Sequence, residues 1–195
     1  MITYTGRNVF PSSEEAPSIV DIAAGLGRTA RWGGQTKIYY TVLAHTFVTA
    51  AVVSDHARIY AMLHDAPEAV VGDVVTTWKS DVAKNNEDEL MHRICREHGI
   101  VWPSPPDLWA EVMAADYAAL QAEAHILGHI AADEYWPNGG WSELTWKARD
   151  ETLKRVNEGC IWSLDPAEAN AVYEELFNRA MKVRRPDTIS KPITN

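Results

Sequence analysis

The sequence predicts an all-α fold, a single helical bundle, on two observations. Apolar residues recur at helical spacing in one segment after another, and runs of β-branched residues are short. The chain has 195 residues, which leaves little room for a second domain of average size, so we expect one domain over residues 1–195. A composition of 46% hydrophobic and 23% charged residues is typical of globular domains and excludes disordered, collagen-like and coiled-coil chains.

The first helix is predicted to begin at Ser18 and to end near Arg31 or Trp32. Residues 1–17 precede it and are rich in glycine, proline and serine, which form turns and loops. Apolar residues repeat at helical spacing from Ser18 onward, and the glycine pair at 33–34 stops the pattern.

Two apolar helices are predicted next, over Tyr39–Ser54 and over Arg58–Val71. The first carries its apolar residues on one broad face, which is typical of a core helix. Gly72 ends the second, because glycine is favoured just beyond a helix C-terminus. The segment GDVVTTWKSD at 72–81 is a predicted loop.

The second half of the chain is predicted to contain further helices separated by breaks rich in proline and glycine. An amphipathic helix covers Glu87–Glu97, and the segment WPSPP at 102–106 interrupts the chain after it. The remaining predicted segments are a helix from Asp107 to about Ala132, a loop over Tyr135–Trp141, two C-terminal helices within 143–181 (Glu143–Glu158 and Pro166–Met181), and an extended polar tail over 184–195.

The charge balance and the cysteine usage limit the classes of partner and compartment. The chain carries 27 acidic and 18 basic residues, a formal charge of −9, which disfavours a protein that binds long nucleic acid. It has no run of about 20 apolar residues that could span a membrane, and its first residues lack the pattern of a secretory signal. Cys95 and Cys160 have no metal-binding spacing. We therefore expect a cytoplasmic protein with reduced thiols and no membrane association.

The stretch AMLHDAPEAVVGD, residues 61–73, carries the most informative polar residues. His64 and Asp65 are adjacent on an otherwise apolar helix, and Glu68 follows four residues after His64, one turn along the same predicted face. Buried imidazole and carboxylate groups need polar partners or a bound cation. For the His-Asp dipeptide taken alone, a hydrogen-bonded helix end without any ligand is the alternative interpretation.

Two further polar residues lie inside apolar helical runs. His45 lies in VLAHTFVTA, and Asp116 lies in AEVMAADYAAL. Taken alone, His45 is also consistent with a hydrogen-bonded core histidine. Together with His64 and Asp65, these residues make a set of two histidines and two carboxylates, which suits a divalent zinc, cobalt, manganese or magnesium ion.

The order His45, His64-Asp65, Asp116 resembles the H…HD…D signature of the HD-domain metal-dependent phosphohydrolases. The longer segment HDAPEAVVGDVVTTWK is similar to the 5′-deoxynucleotidase branch of that superfamily, and DIAAGLGRTARWGGQTKIYYTVLAH is similar to small phage dATP triphosphohydrolases. The likeness covers about residues 3–120, with the signature within 18–120. It implies a single all-α HD-domain bundle.

The resemblance implies roles for the acidic and histidine side chains. The residues that would hold a divalent metal ion are His45, His64, Asp65 and Asp116. Glu68 and Asp73 would be the acid and base that orient the attacking water and protonate the leaving oxygen. The chemistry is reasonable, because a metal lowers the pKa of bound water and a nearby carboxylate can accept its proton.

The resemblance also implies residues that would bind the substrate. Arg31 and Lys79 would hold the phosphates, while Trp32 would crowd the sugar 2′ position and so favour deoxyribose. The alternative interpretations are a solvated helix-end charge for Arg31, an ordinary surface lysine for Lys79 and a core aromatic for Trp32. Trp78 could line a base pocket. The other tryptophans are interpreted mostly as packing residues, among them Trp102, Trp109, Trp136, Trp146 and Trp162.

The expected function is metal-dependent hydrolysis of a deoxynucleotide at its α-phosphate. We favour dATP as the substrate, with deoxyadenosine and triphosphate as products and with dADP and dAMP as further substrates. A 5′-deoxynucleotidase of broad base range is the alternative in the same class. Alternatives from other classes are a non-catalytic nucleotide-binding module and an enzyme that hydrolyses cyclic nucleotides or alarmones. The resemblance also implies a homo-oligomer, either a dimer or a hexamer.

Overall fold

The computed structural model describes residues 1–128, 141–157 and 166–190, which form helices joined by loops. The α-helices are α1 (Ile19–Leu26), α2 (Val42–Val52), α3 (Arg58–Leu63), α4 (Glu68–Val71), α5 (Asp81–Glu97), α6 (Pro106–Ile126), α7 (Glu143–Asn157) and α8 (Pro166–Val183). Within the described ranges there is no β-strand, only isolated bridges. The predicted all-α fold class is confirmed. No helix in these ranges is long and apolar enough to cross a membrane.

Helix α2 lies at the centre of the bundle. It packs against α3, α6 and α7, while α1 packs against α4 and α8. Most of α2 is buried, and Leu43 and Phe47 are among its core residues. The side chain of Thr41 caps the helix by accepting a hydrogen bond from the Ala44 N–H at 3.2 Å. Because neighbours surround α2, the direction of the His45 side chain is fixed by packing.

A buried aspartate, Asp21, joins the N-terminal segment to α1. Its carboxylate accepts hydrogen bonds from the Thr5 N–H at 2.7 Å and from Ser18 Oγ at 2.7 Å. Burial opposes ionisation, but these hydrogen bonds outweigh it and lower the pKa of Asp21 below its ordinary value. Ser18 in turn accepts a hydrogen bond from the Asp21 N–H, which completes a capping box at the predicted start of α1.

The predicted end of the first helix near Arg31 or Trp32 was wrong. Helix α1 ends at Leu26, and the chain after it pairs with the residues that precede α2. In this pairing the Arg31 N–H donates to the Tyr40 carbonyl at 2.9 Å. The periodicity of one segment carries no information about a partner in the next segment, and this pairing overrides helix propensity here. Arg31 is consequently outside the helix.

The predicted helix over Arg58–Val71 is two helices, α3 and α4, separated by a turn. Pro67 explains the break, because proline has no N–H to donate and its ring clashes with the preceding helical turn. The turn is closed by short-range hydrogen bonds, including one from the Glu68 N–H to the Asp65 carbonyl at 2.9 Å. The prediction that His64 and Glu68 share one continuous helix face was therefore wrong.

Two other helix boundaries differ from the prediction. Helix α5 begins at Asp81 instead of Glu87, since Ser80 caps it by accepting a hydrogen bond from the Ala83 N–H at 3.2 Å. Helix α6 ends at Ile126, before the predicted end near residue 132, and Gly128 follows it with a positive φ of 80°.

The C-terminal segment is docked on the bundle, in contrast to the predicted extended tail. Residues Pro186–Thr188 form a helical turn, and Ile189 pairs with Ile100. Thr188 is fully buried. Some predicted features lie outside the described residues: positions 129–132 of the sixth helix, the loop from Tyr135 to residue 140, Glu158, Cys160, Trp136, Trp162 and positions 191–195.

Gly25 allows α1 to lie close against α4, the short helix that begins with Glu68. A Cβ atom at Gly25 would lie 2.5 Å from the Ala69 carbonyl oxygen and 2.7 Å from Ala69 Cβ. We expect Gly25→Ala to destabilise the fold by about 1–3 kcal/mol, the usual cost of overpacking, and to lower Tm by roughly 2–4 °C per kcal/mol in thermal unfolding. Asn85→Ala, at an exposed position of α5, is the control and should leave Tm unchanged. Equal Tm values for both variants would contradict the close approach.

Candidate metal centre

The structure brings four of the predicted residues together where α2, α3 and α6 meet. His45 lies on α2, His64 and Asp65 directly follow α3, and Asp116 lies on α6. His45 Nε2 is 3.2 Å from His64 Nε2 and 2.9 Å from Asp116 Oδ1. Asp65 Oδ2 is 3.2 Å from His64 Nε2 and 3.7 Å from His45 Nε2. His45, His64 and Asp65 form a cluster that could hold a metal ion.

The spacing of these atoms fits a single divalent ion. Nitrogen and oxygen ligands bind zinc at about 2.0–2.2 Å, so the ligands of one ion lie roughly 3–4 Å from one another. Asp65 Oδ2 is buried and accepts no hydrogen bond from any residue in the described ranges, a deficit that a bound cation would remedy. Imidazole nitrogens and carboxylate oxygens without thiolates suit zinc, cobalt, manganese or magnesium.

The second nitrogen of each imidazole is held by another group. His64 Nδ1 donates a hydrogen bond to the Ala61 carbonyl at 2.8 Å, and His45 Nδ1 donates to Glu123 Oε1 at 2.8 Å. A neutral ring that carries its proton on Nδ1 has a lone pair on Nε2. The two Nε2 lone pairs and the carboxylate oxygens then face one another, which requires protons or a cation between them. In metal sites the second ring nitrogen of a ligating histidine typically donates a hydrogen bond to a carboxylate or a carbonyl.

Glu123 is a residue of this centre that the sequence analysis missed. It lies on α6 seven residues after Asp116, on the same helix face, and is fully buried. The available indication was a second lone carboxylate in an apolar run at that spacing. Burial opposes its ionisation, but His45 and Arg31 lower the pKa of Glu123 below its ordinary value. The ionised carboxylate can therefore hold the His45 ring in place.

Arg31 lies beside the cluster with three carboxylates around its guanidinium. Its Nε is 3.3 Å from Glu123 Oε2, and its two terminal nitrogens are each 3.8 Å from a carboxylate oxygen of Asp65 or Asp116. Burial opposes the positive charge, yet these carboxylates raise the pKa of Arg31 above its usual range. With a side chain only 12% exposed, Arg31 is not the solvated helix-end charge of the alternative interpretation.

The charges of the cluster attract a cation. The three carboxylates face one guanidinium, so two negative charges are unbalanced when the histidines are neutral. Burial and Arg31 oppose protonation of His45, but Glu123 and Asp116 together outweigh them and raise the pKa of His45 to about 10. Burial likewise opposes protonation of His64, and the neighbouring Asp65 raises its pKa. The centre therefore favours protons or, in their place, a divalent ion.

Glu68, the first residue of α4, is buried with 6% exposure. Its Oε1 accepts a hydrogen bond from Lys79 Nζ at 3.2 Å, and its Oε2 has no hydrogen-bond partner among the described residues. Burial, followed by the charges of Asp65 and Asp73, raises the pKa of Glu68 to about 8. Lys79 also binds Glu87 at 3.0 Å, so it is not an ordinary surface lysine. The raised pKa favours the protonated form of Glu68, the state that a general acid needs, while Lys79 and Arg31 favour the ionised form.

Asp73 and Trp32 are joined by a hydrogen bond. The Trp32 backbone N–H donates to Asp73 Oδ2 at 3.2 Å. Trp32 has a φ of 60°, in the left-handed region that large side chains rarely adopt. Such strained residues are concentrated at functional sites. The Trp32 ring also packs against the buried Tyr40 and Leu127, as the core aromatic interpretation predicts, and the sugar contact stays a prediction.

A cleft of about 230 Å³ adjoins the metal centre and is lined at one end by His64 and Glu68. Arg31 and Trp32 lie outside its lining. Trp78 does not line it either and is 83% exposed. The structure therefore groups the predicted metal-binding and acid/base residues but does not bring Trp78 to them.

Replacing Glu123 with glutamine is expected to weaken metal binding about 10- to 100-fold, the usual effect of changing a group that orients a ligand. Glutamine can still accept the His45 hydrogen bond, but it lacks the charge that makes the imidazole more basic. Calorimetric titration with Co²⁺ or Zn²⁺ measures the effect. Glu89→Gln, at an exposed position of α5, is the matched control. The same affinity in Glu123→Gln and the control would show that Glu123 does not support the centre.

Comparison with known proteins places the chain among uncharacterized relatives. It is 32% identical over 128 residues to an uncharacterized protein of Rhodobacter capsulatus, a match that covers 60% of this chain and 65% of that protein, slightly under two thirds. It is 27% identical over 187 residues to the uncharacterized protein YfdR of Escherichia coli K12, which covers 94% of this chain and 96% of YfdR. No protein-family model matches the chain.

Proposed function

We propose that this protein is a divalent-metal-dependent phosphohydrolase that cleaves a deoxynucleotide at its α-phosphate. The observation that carries the proposal is the pair of histidines whose Nε2 atoms face two carboxylates while both Nδ1 atoms are held from behind. The reaction class comes from the resemblance of HDAPEAVVGD and its partners to the HD-domain phosphohydrolases. The favoured substrate is dATP, with deoxyadenosine and triphosphate as the products.

His45, His64, Asp65 and Asp116 would hold the ion, and a bound divalent ion supplies Lewis acidity toward phosphate oxygens and a lowered pKa of water. Glu68, whose raised pKa favours the protonated form, would give its proton to the 5′ oxygen as the bond from that oxygen to the α-phosphorus breaks. Asp73 would accept the proton of the attacking water, whose oxygen forms the new bond to phosphorus.

Arg31 would have two roles, one toward the carboxylates of the centre and one toward the substrate phosphate. Its guanidinium is already surrounded by carboxylates of the centre, so it holds those ligands in place and keeps a positive charge beside the substrate phosphate. Lys79 donates a hydrogen bond to Glu68. It would orient the Glu68 carboxyl group and would also attract the substrate phosphate. Trp32 would lie beside the sugar.

The test is turnover by the full chain, stripped with a chelator and reloaded with cobalt, manganese, zinc or magnesium. The substrates are dATP, dGTP, dCTP, TTP and the four monophosphates, with products separated by chromatography. We expect metal-dependent release of triphosphate from dATP. Equal rates on all bases would overturn the assignment of dATP, and release of phosphate from monophosphates alone would favour a 5′-deoxynucleotidase. Nucleotide binding without turnover would favour a non-catalytic module instead.

We also propose that the protein acts in the cytoplasm as a homo-oligomer, a dimer or a hexamer. The family resemblance supports the assembly, and the free, buried thiol of Cys95 supports a reducing compartment. Sedimentation equilibrium of the full chain distinguishes the two assemblies from a monomer, which would contradict the proposal.

A further inference from the structure

The cleft beside the metal centre continues to a pair of tryptophans that have no role in the function proposed above. Its lining runs from His64 and Glu68 to Met91, Trp102 and Trp109. The lining thus combines acidic side chains and two lysines, Lys79 and Lys84, with this aromatic pair. The sequence predicts that both tryptophans are packing residues, and they do pack on the core, but each is only half-buried and also lines the cleft.

Contacts with neighbouring residues hold the two rings in fixed orientations. Trp102 and Trp109 lie edge to face, with centroids 5.1 Å apart and planes at 84°. Trp102 Nε1 donates a hydrogen bond to Asp88 Oδ1 at 3.1 Å, and the His92 ring contacts Trp102 from a further direction with centroids 6.4 Å apart. Met91 lines the same cleft and is 3% exposed. Aromatic surfaces that are ordered before binding lose little conformational entropy when a ligand stacks on them.

The size of the cleft limits what it can enclose. Pockets that enclose a drug-sized ligand usually measure about 300–1,000 Å³, and this cleft has about 230 Å³. It can therefore enclose one ring system and the group attached to it, but not a polymer. The part of the cleft lined by Glu68 and His64 is where the scissile bond would lie.

We propose that Trp102 and Trp109 form a subsite for a planar aromatic ring carried by the leaving group, the base of a nucleoside. This inference rests on the proposed function, because it places the leaving group on the side of Glu68. Stacking of a base on tryptophan contributes about 1–3 kcal/mol, which corresponds to roughly five- to 150-fold in affinity. The subsite selects substrates that carry a base over phosphate esters that lack one.

The experiment compares a substrate with a base and one without a base in the metal-loaded full chain. The variants are Trp109→Ala, and Trp109→Leu as a second variant that keeps apolar volume but removes the flat ring. The control is Trp146→Ala, whose side chain is 51% exposed and lies on α7. KM is measured for dAMP or dATP, whichever is turned over, and for deoxyribose 5-phosphate, while calorimetry measures the binding of free deoxyadenosine.

We expect both Trp109 variants to raise KM for the nucleotide about tenfold and to lose deoxyadenosine binding, with KM for deoxyribose 5-phosphate unchanged. The control should behave as the wild type. Equal changes on both substrates, or no change on either, would overturn the subsite. If the wild-type chain hydrolyses no phosphate ester, the proposed function fails, and the binding of deoxyadenosine still decides whether Trp109 forms a base subsite.

Discussion

Asp65→Asn is expected to remove divalent-ion binding and to lower hydrolysis by at least about a thousandfold. Asp65 Oδ2 lies 3.2 Å from His64 Nε2 and has no hydrogen-bond donor among the described residues. An asparagine in its place fills the same volume but carries no charge to hold the ion. Loss of several kcal/mol of charge stabilisation at the reacting phosphate corresponds to roughly three orders of magnitude in rate.

Thermal unfolding of the Asp65→Asn variant gives a readout that does not depend on activity. A metal ion at about a hundred times its Kd stabilises the wild-type fold by about 2.7 kcal/mol, and each kcal/mol raises Tm by roughly 2–4 °C in a chain of this length. The variant should show no such shift when metal is added. Asp55→Asn, whose side chain is 65% exposed, is the matched control and should retain both the shift and the activity. A metal-dependent rise of Tm in Asp65→Asn equal to that of the control would place the ion elsewhere.

Glu68→Gln is expected to lower kcat by about 10²- to 10⁴-fold, the usual contribution of a positioned general acid, while metal binding is retained. Glutamine keeps the volume and the contact with Lys79 but has no proton to donate at the required acidity. Glu68 is not among the atoms of the metal cluster, so the rise of Tm on metal addition should equal that of the wild type. A kcat within threefold of the wild type would exclude Glu68 as the acid.

The stability of the metal-stripped protein provides a second test of Glu68. Its pKa is raised from an ordinary value of 4.5 to about 8, chiefly by burial. Between these values the folded state binds more protons at this residue than the unfolded state, so its contribution makes the fold less stable as pH rises through that window. The Tm of Glu68→Gln should therefore exceed that of the wild type by more at pH 9 than at pH 5. The same Tm difference at both values would show that Glu68 is not buried as a neutral acid.

Part of the centre could be predicted from local sequence. A lone polar residue within an apolar helical run must find a partner when it is buried, and this reasoning selected His45 and Asp116. The same reasoning predicted His64 and Asp65, since this polar pair follows an apolar helical run. Glu123 follows the same rule, and its spacing of two helical turns from Asp116 was available in the sequence.

Other features depended on contacts between separate segments of the chain. Helix α1 stops at Leu26 because the chain after it pairs with the residues before α2, and that pairing places Arg31 among the carboxylates of the centre. No local sequence pattern predicts that Trp78 is exposed or that Trp109 lines the cleft. The residues next to a tryptophan in the sequence do not reveal whether its ring lies in the core or lines a cleft. Only the packing of the helices decides this.

The sequence by itself determined the helical fold class and which side chains can ligate a metal, because hydrophobic periodicity and ligand chemistry are properties of single residues and short segments. The tertiary structure alone decided that the Nε2 atoms of two histidines face the carboxylates, and that Glu123 and Arg31 complete the centre. It also decided that the cleft ends at two tryptophans. These features arise where helices far apart in the chain pack together. That packing depends on the whole core and overrides local preference, so no single segment of the sequence reveals it.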